Sequence, residues 1–216
     1  MRKFLSICLT FFLVLSVPSA RAQSDDPTYG ADYQAAEKFQ QALKANDRQA
    51  VASLITYPLA REKPLPPITS AKQFLAHWDE YFDAASIKSL IDSKADQYGW
   101  RGIALANGTV WFANGHIASI FAQTDAYKKA FTSASENEGA KLYPSVRGYT
   151  KIAFQCRTKT QTVRTQYHGK DLRYFAWKAK ASLATKPDLV VRGGVYDPQG
   201  TGGNYNLIFT NKGNTY

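Results

Sequence analysis

The sequence predicts an α+β fold, with N-terminal helices packed on a curved antiparallel sheet and a small all-antiparallel β domain after them. Three patterns carry this expectation. Apolar residues recur at helical spacing through about residue 91, two Asn-Gly pairs then punctuate short alternating runs, and beyond residue 150 the chain reads as strand. Helices and strands are segregated along the chain, as an α+β protein requires.

Residues 1–22 stand apart from this fold. Arg2 and Lys3 open the chain, Phe4 to Val17 is apolar and uncharged, and Ala20-Arg21-Ala22 is the small-x-small pattern that signal peptidase cuts. A signal peptide is expected, with cleavage near Ala22 and a periplasmic or secreted product. The apolar run is 14 residues long, short of the roughly 20 that cross a bilayer, so the mature protein is expected to have no transmembrane segment. Ile7 stands where a lipoprotein signal carries a small residue before its cysteine, so Cys8 predicts no lipid anchor. Cys156 is then the one cysteine left, expected to be buried on the apolar side of a strand with Ile152 and Phe154.

Gln23 to Gly30 is polar. From Ala31, Tyr33, Ala36, Phe39 and Leu43 mark the first helix, which Asn46-Asp47 ends. Val51, Leu54 and Ile55 mark a second, stopped at Tyr57-Pro58 because proline pushes the preceding residue out of the helical region. Lys63 to Pro67 reads as an extended connection. Thr69 or Ser70 caps a helix striped by Phe74, Trp78, Tyr81 and Phe82, and a further helix holds Ile87, Leu90 and Ile91. Asn107-Gly108 and Asn114-Gly115 separate the runs Tyr98 to Ala104, Thr109 to Phe112 and His116 to Phe121, which predicts a three-stranded meander. Asp125 to Ser133 reads as a short helix and Ser135 to Gly148 as an irregular connection, placing the boundary between domains 23–140 and 141–216. Strands follow at Thr150 to Arg157, Gln161 to Tyr167, Leu172 to Trp177, Leu189 to Arg192, Val195-Tyr196 and Tyr205 to Phe209, with Gly193-Gly194 and Gly200 to Asn204 as breaks.

The net charge of +10 is unevenly placed. Residues 148–216 hold 11 lysines and arginines against Asp171, Asp188 and Asp197, whereas residues 23–147 are nearly neutral. Such asymmetry points to an anionic partner, or to basic residues guarding strand edges. Alternation places Lys151, Gln155 and Arg157 with Thr162, Arg164 and Gln166 on one face, extended by Arg173, Lys178 and Lys180 and interleaved with Phe175 and Trp177. Arginine and aromatic side chains dominate protein interfaces, so Lys151, Arg157, Arg164, Arg173, Phe175, Trp177, Lys178 and Lys180 form the expected binding face. Nucleic acid would suit the same charge, but export argues against it.

Catalytic signals are sparse. His77, Asp79 and Glu80 cluster on one helix, with His77 and Glu80 three apart. No second histidine stands four residues away and no Cys-x-x-Cys is present, so neither a metal nor another cofactor is expected. Gly200-Thr201-Gly202-Gly203 is followed by no helix that would make it a phosphate loop. Trp78, Tyr81, Tyr98, Trp100 and Trp111 could line a cavity between helix and sheet, or fill the core.

The early helices with Phe39, Leu43, Val51 and Leu54, the Tyr57-Pro58-Leu59 stretch, the helix at Phe74 to Phe82, and Gly102 to Phe112 followed by His116-Ile117-Ala118-Ser119-Ile120 resemble exported bacterial members of the cone-shaped nuclear transport factor 2-like superfamily. The resemblance covers about residues 31–122. It implies helices seated in a curved sheet, and the superfamily includes isomerases and dehydratases with an Asp or His in the cone beside non-catalytic immunity or inhibitor modules. Only His77, Asp79 and Asp96 match such a catalytic set by residue type. The C-terminal third resembles uncharacterised periplasmic β domains, which implies no activity. The leading expectation is therefore a non-enzymatic exported binding protein, an inhibitor or immunity-type module that engages an acidic protein or anionic envelope component through its basic β domain. The alternative is a small-molecule isomerase- or hydrolase-like enzyme, or a ligand carrier, using a cavity in the first domain. The oligomeric state is not legible in the sequence.

Overall fold

The computed structural model describes residues 29–200 and 203–216, and the fold is α+β. The expected signal peptide, Cys8 and Thr201-Gly202 lie outside the described residues. Helices α1 (Gly30–Lys44), α2 (Arg48–Ser53), α3 (Ala71–Ala76), α4 (Trp78–Tyr81) and α5 (Ala84–Asp92) precede a meander of β1 (Asp96–Gln97), β2 (Ile103–Leu105), β3 (Val110–Ala113) and β4 (His116–Ile120). Then come α6 (Asp125–Gly139) and a five-stranded antiparallel sheet of β5 (Lys151–Arg157), β6 (Gln161–His168), β7 (Asp171–Lys178), β8 (Leu189–Gln199) and β9 (Asn204–Ile208) in chain order. A small hairpin, β10 (Thr210–Asn211) and β11 (Asn214–Thr215), closes the described chain.

Both Asn-Gly pairs form the hairpin turns the sequence predicts, with Asn107, Gly108, Asn114 and Gly115 all at positive φ. The meander has a fourth strand, Asp96–Gln97, which precedes the first alternating run, and a 3-10 turn at Gly99–Arg101 takes up the start of that run so that its strand is Ile103–Leu105. The inward side chains Ile103, Leu105, Val110, Phe112, Ile117 and Ile120 meet Phe39, Phe74, Trp78 and Phe82 in one core. Phe39 sits 6.0 Å from both Phe82 and Phe112, ring centre to ring centre. Ser70 and Asp83 cap α3 and α5 by accepting backbone N–H bonds, and Asp83 forms a full capping box with Ser86.

Four local expectations change. The Lys63 to Pro67 connection is not extended but folds back, so that Leu59 and Ile68 exchange backbone hydrogen bonds of 2.8 and 3.0 Å. The helix through Phe74 and Phe82 breaks at His77, which takes a non-helical conformation. Helix α6 runs to Gly139, and Leu142, Val146 and Tyr149 beyond it are buried rather than part of a loose connection. Gly193-Gly194 does not end β8. Gly193, at positive φ, is the extra residue of a bulge opposite β7, while Gly194 leaves room for the Phe209 ring against which any Cβ would collide.

A second bulge changes the reading of β5. Ile152 pairs with Gln166 but Phe154 pairs with Thr165, so Ala153 is the extra residue and the side-chain parity flips. Ile152 therefore lies on one face, buried, and Phe154 and Cys156 on the other. Phe154 is 50% exposed and Cys156 is half-buried, not buried as the unbroken alternation predicts.

Candidate functional site

The face expected to carry the basic binding surface is mostly covered. Strand register sets Gln155 beside Arg164, Arg164 beside Phe175, Thr162 beside Trp177 and Gln166 beside Arg173, so these residues do share a face. Leu142, Val146 and Tyr149 pack over it, and Arg164, Gln166, Phe175 and Trp177 are buried, with Arg164 fully excluded from solvent. Alternation reports parity; it does not report which parity faces solvent.

Beneath this cover Arg164 organises a polar network. Its guanidinium donates to both carboxylate oxygens of Glu138 at 2.8 and 3.0 Å, to Gln155 at 2.8 Å, and lies 4.7 Å from the centre of the Tyr149 ring. Tyr149 donates its hydroxyl to Glu138 as well. Burial raises the pKa of Glu138, but hydrogen bonds from Arg164 and Tyr149 outweigh it and hold the carboxyl below the ordinary range. Burial and the Glu138 charge push the Tyr149 phenol up to about 12. Gln166 donates to the Val146 carbonyl at 2.7 Å, and its amide stands 2.8 Å from His168 Nε2. Desolvation first, then the Arg173 charge, lowers the pKa of His168. Every group here is engaged within the chain, so the network docks α6 and the segment after it onto the sheet.

Exposed cations gather instead at one end of the sheet. Arg157 closes β5 and Lys159 tops the β5–β6 turn, where the Thr158 hydroxyl accepts from the Thr160 and Gln161 N–H groups at 3.3 and 3.0 Å. Gln161 pairs with Lys178, and the Ala179 N–H donates to the Thr160 carbonyl at 2.9 Å, which brings Lys178 and Lys180 alongside. All four cations are exposed, and none makes an ion pair among the described residues. Asp188 accepts from the Lys178 backbone N–H at 2.8 Å. Lys186 follows Thr185, whose carbonyl accepts from the Trp177 indole at 2.9 Å. A shallow depression of about 550 Å³ beside Lys178 is lined by Thr160, Gln161, Tyr174, Asp188 and Tyr216.

Two members of the expected set lie elsewhere. Lys151 is exposed at the opposite end of β5, about 20 Å away at the usual strand rise. Arg173 donates to Asp171 at 2.6 Å, a bond that, with the Gly193 N–H, keeps the Asp171 carboxyl below its ordinary value. Lys159 lies in the β5–β6 turn, outside the strand alternation from which the expected set follows.

In the first half, His77 Nδ1 lies 2.7 Å from Glu80, and Glu80 also pairs with Arg61, whose side chain is 2% exposed. Arg61 stacks on Tyr127 at 5.6 Å. Asp79 and Asp96 are exposed, and among the described residues no hydrogen bond or ion pair links either to His77. The five aromatic residues do not line one cavity. Trp78 and Tyr81 are buried against Phe74 and Phe82, Tyr98 meets Trp111 at a tilt with ring centres 5.3 Å apart, and Trp100 is 72% exposed on the 3-10 turn. Among the described residues, no group of three or more His, Cys, Asp or Glu side chains could hold a metal ion, and no helix is long and apolar enough to cross a membrane. The chain matches no known protein family, no curated protein and no solved structure.

Proposed function

We propose that this chain is an exported, non-enzymatic binding protein of the inhibitor or immunity type, engaging an acidic protein or anionic envelope component through the basic end of its second sheet. One observation carries the reading. Arg157, Lys159, Lys178 and Lys180 are brought together by register and turn geometry, stay exposed, and form no ion pair among the described residues. Like charges held close together repel, a cost relieved by an anionic partner. The aromatic filling of the first core, together with exposed and unlinked Asp79 and Asp96, supports a binding module over a cavity enzyme. The resemblance to nuclear transport factor 2-like proteins accommodates both.

The test is capture of envelope-extract proteins and anionic vesicles by the purified protein and by a variant with Arg157, Lys159, Lys178 and Lys180 all changed to Glu. The variant is expected to keep its fold, since exposed unpaired charges add little stability, and to lose capture. Wild-type capture is expected to fall with added salt as the screening length shortens from about 8 Å to about 3 Å. Undiminished capture by the variant, or loss of biological activity in a folded His77→Ala variant instead, would overturn the reading in favour of the first domain.

A further inference from the structure

The second sheet has one face under Leu142, Val146 and Tyr149, and its other face is only partly covered. Register lays that other face out in rows across the strands: Phe154, Thr165, Tyr174 and Val191, then Cys156, Val163, Ala176 and Leu189, then Gln161 and Lys178. The first two rows are apolar apart from Thr165, and the third is polar. Phe209 and Tyr216 exchange backbone hydrogen bonds of 3.1 and 2.9 Å and set their rings 5.4 and 5.6 Å from that of Tyr174, covering the β7–β8 side. Cys156 and Val163 stay half-buried and Phe154 is 50% exposed.

The depression of about 550 Å³ opens on this face, where the apolar rows meet the polar one. Tyr174, Ala176, Leu189 and Tyr216 give it apolar walls. Lys178 and Asp188 both line it, so their charges offset inside, and burial there favours an apolar group over an anion. The positive excess lies around it. Lys178 belongs to this face, Arg157 pairs with Thr162 and belongs to the other, and Lys159 tops the turn between them. Positive charge therefore wraps the end of the sheet instead of lying in one plane. A bilayer presents its charge as a plane, and a second copy brings the same excess of +10. A protein segment with carboxylates beside an apolar side chain matches both the recess and the charges around it.

Resting on the anionic-partner reading above, we propose that this depression is the anchor pocket of the basic surface, taking one aromatic or leucine side chain of an acidic protein segment whose carboxylates meet Arg157, Lys159 and Lys180. Interfaces concentrate their energy in an apolar anchor seated in a pocket, while charges at the rim set approach and salt dependence. The anchor and the rim thus make separable contributions to affinity.

Fluorescence anisotropy on the purified protein separates them with three labelled peptides: one phenylalanine, one glycine and four glutamates; the same with alanine for phenylalanine; and the same with glutamines for glutamates. The first is expected to bind about tenfold tighter than either of the others, the value of burying one large apolar side chain. Added salt should weaken both glutamate peptides while leaving their ratio unchanged, because screening acts on charge alone. Ala176→Trp fills the depression and keeps all four cations, and is expected to bind the two glutamate peptides alike with unchanged circular dichroism. Should that variant misfold, the peptide comparison on the wild type decides. Equal binding of the two glutamate peptides to the wild type, or binding of neither, overturns the pocket. So does binding to phosphatidylglycerol vesicles that saturating phenylalanine peptide leaves undiminished, which would assign the surface to lipid. Full capture of envelope proteins by Ala176→Trp, with capture lost in the variant carrying four glutamates in place of the cations, overturns the pocket and leaves the anionic-partner reading standing; undiminished capture by both overturns that reading and the pocket with it.

Discussion

Arg164 shows how one residue decides what a surface is for. Its guanidinium is fully buried and ion-paired to Glu138, so truncation strands a carboxylate in a partly desolvated site. Arg164→Ala is expected to cost about 3–5 kcal/mol, measured by urea unfolding, against little change for Lys178→Ala. The same network predicts a pH response. Glu138 has a lowered pKa in the fold, so its contribution is present at neutral pH and lost as pH falls below the ordinary 4.5 through its depressed value. His168 is also lowered, from 6.5. For it, too, the unfolded chain binds more protons between the two values, so stability declines as pH drops below 6.5. A neutral imidazole accepts from the Gln166 amide and a protonated one cannot. Replacing His168 with Gln should flatten unfolding free energy between pH 7.5 and 5; an unchanged slope would place the response elsewhere. At Gly194 the argument is steric: Gly194→Ala drives a methyl group into the Phe209 ring and should cost about 1–3 kcal/mol, visible as a lower thermal midpoint.

Among the elements, α6 has the most to explain. Thr124 caps it by accepting from the Tyr127 N–H at 3.1 Å while donating to the Glu80 carbonyl at 2.6 Å, which fixes the start of the helix to α4. At its other end Glu138 holds Arg164 of β6. One helix thus touches both halves of the chain. Thr124→Val keeps the shape and removes both bonds, and is expected to cost about 1–2 kcal/mol by chemical denaturation. The length of α6 was poorly legible because Ser133, Ser135, Asn137 and Gly139 are weak helix formers with no apolar stripe among them. Tertiary anchoring at Glu138 and the buried Leu142 beyond it override that weak preference.

For the whole molecule, the consequence of a shared helix is cooperativity. Wild-type protein is expected to unfold in urea as one transition by fluorescence and circular dichroism, and Arg164→Ala to separate it into two; two transitions already present in the wild type would refute the coupling. Much of this architecture was legible beforehand. Helical spacing at Phe39 and Leu43 and at Ile87, Leu90 and Ile91, positive-φ turns at the two Asn-Gly pairs, and alternation along β6 and β7 are local properties, set by backbone sterics and side-chain periodicity within a few residues. The excess charge of the C-terminal third is likewise a property of the sequence alone. What surrounds each face is not. Thr162, Arg164 and Gln166 alternate like a solvated strand, and only the docking of residues 138–149 turns that strand face into a core, while a bulge at Ala153 moves Phe154 and Cys156 to the opposite side. Periodicity encodes which residues point the same way; packing between segments distant in sequence decides whether water or protein lies there, because burial depends on partners that no local pattern contains.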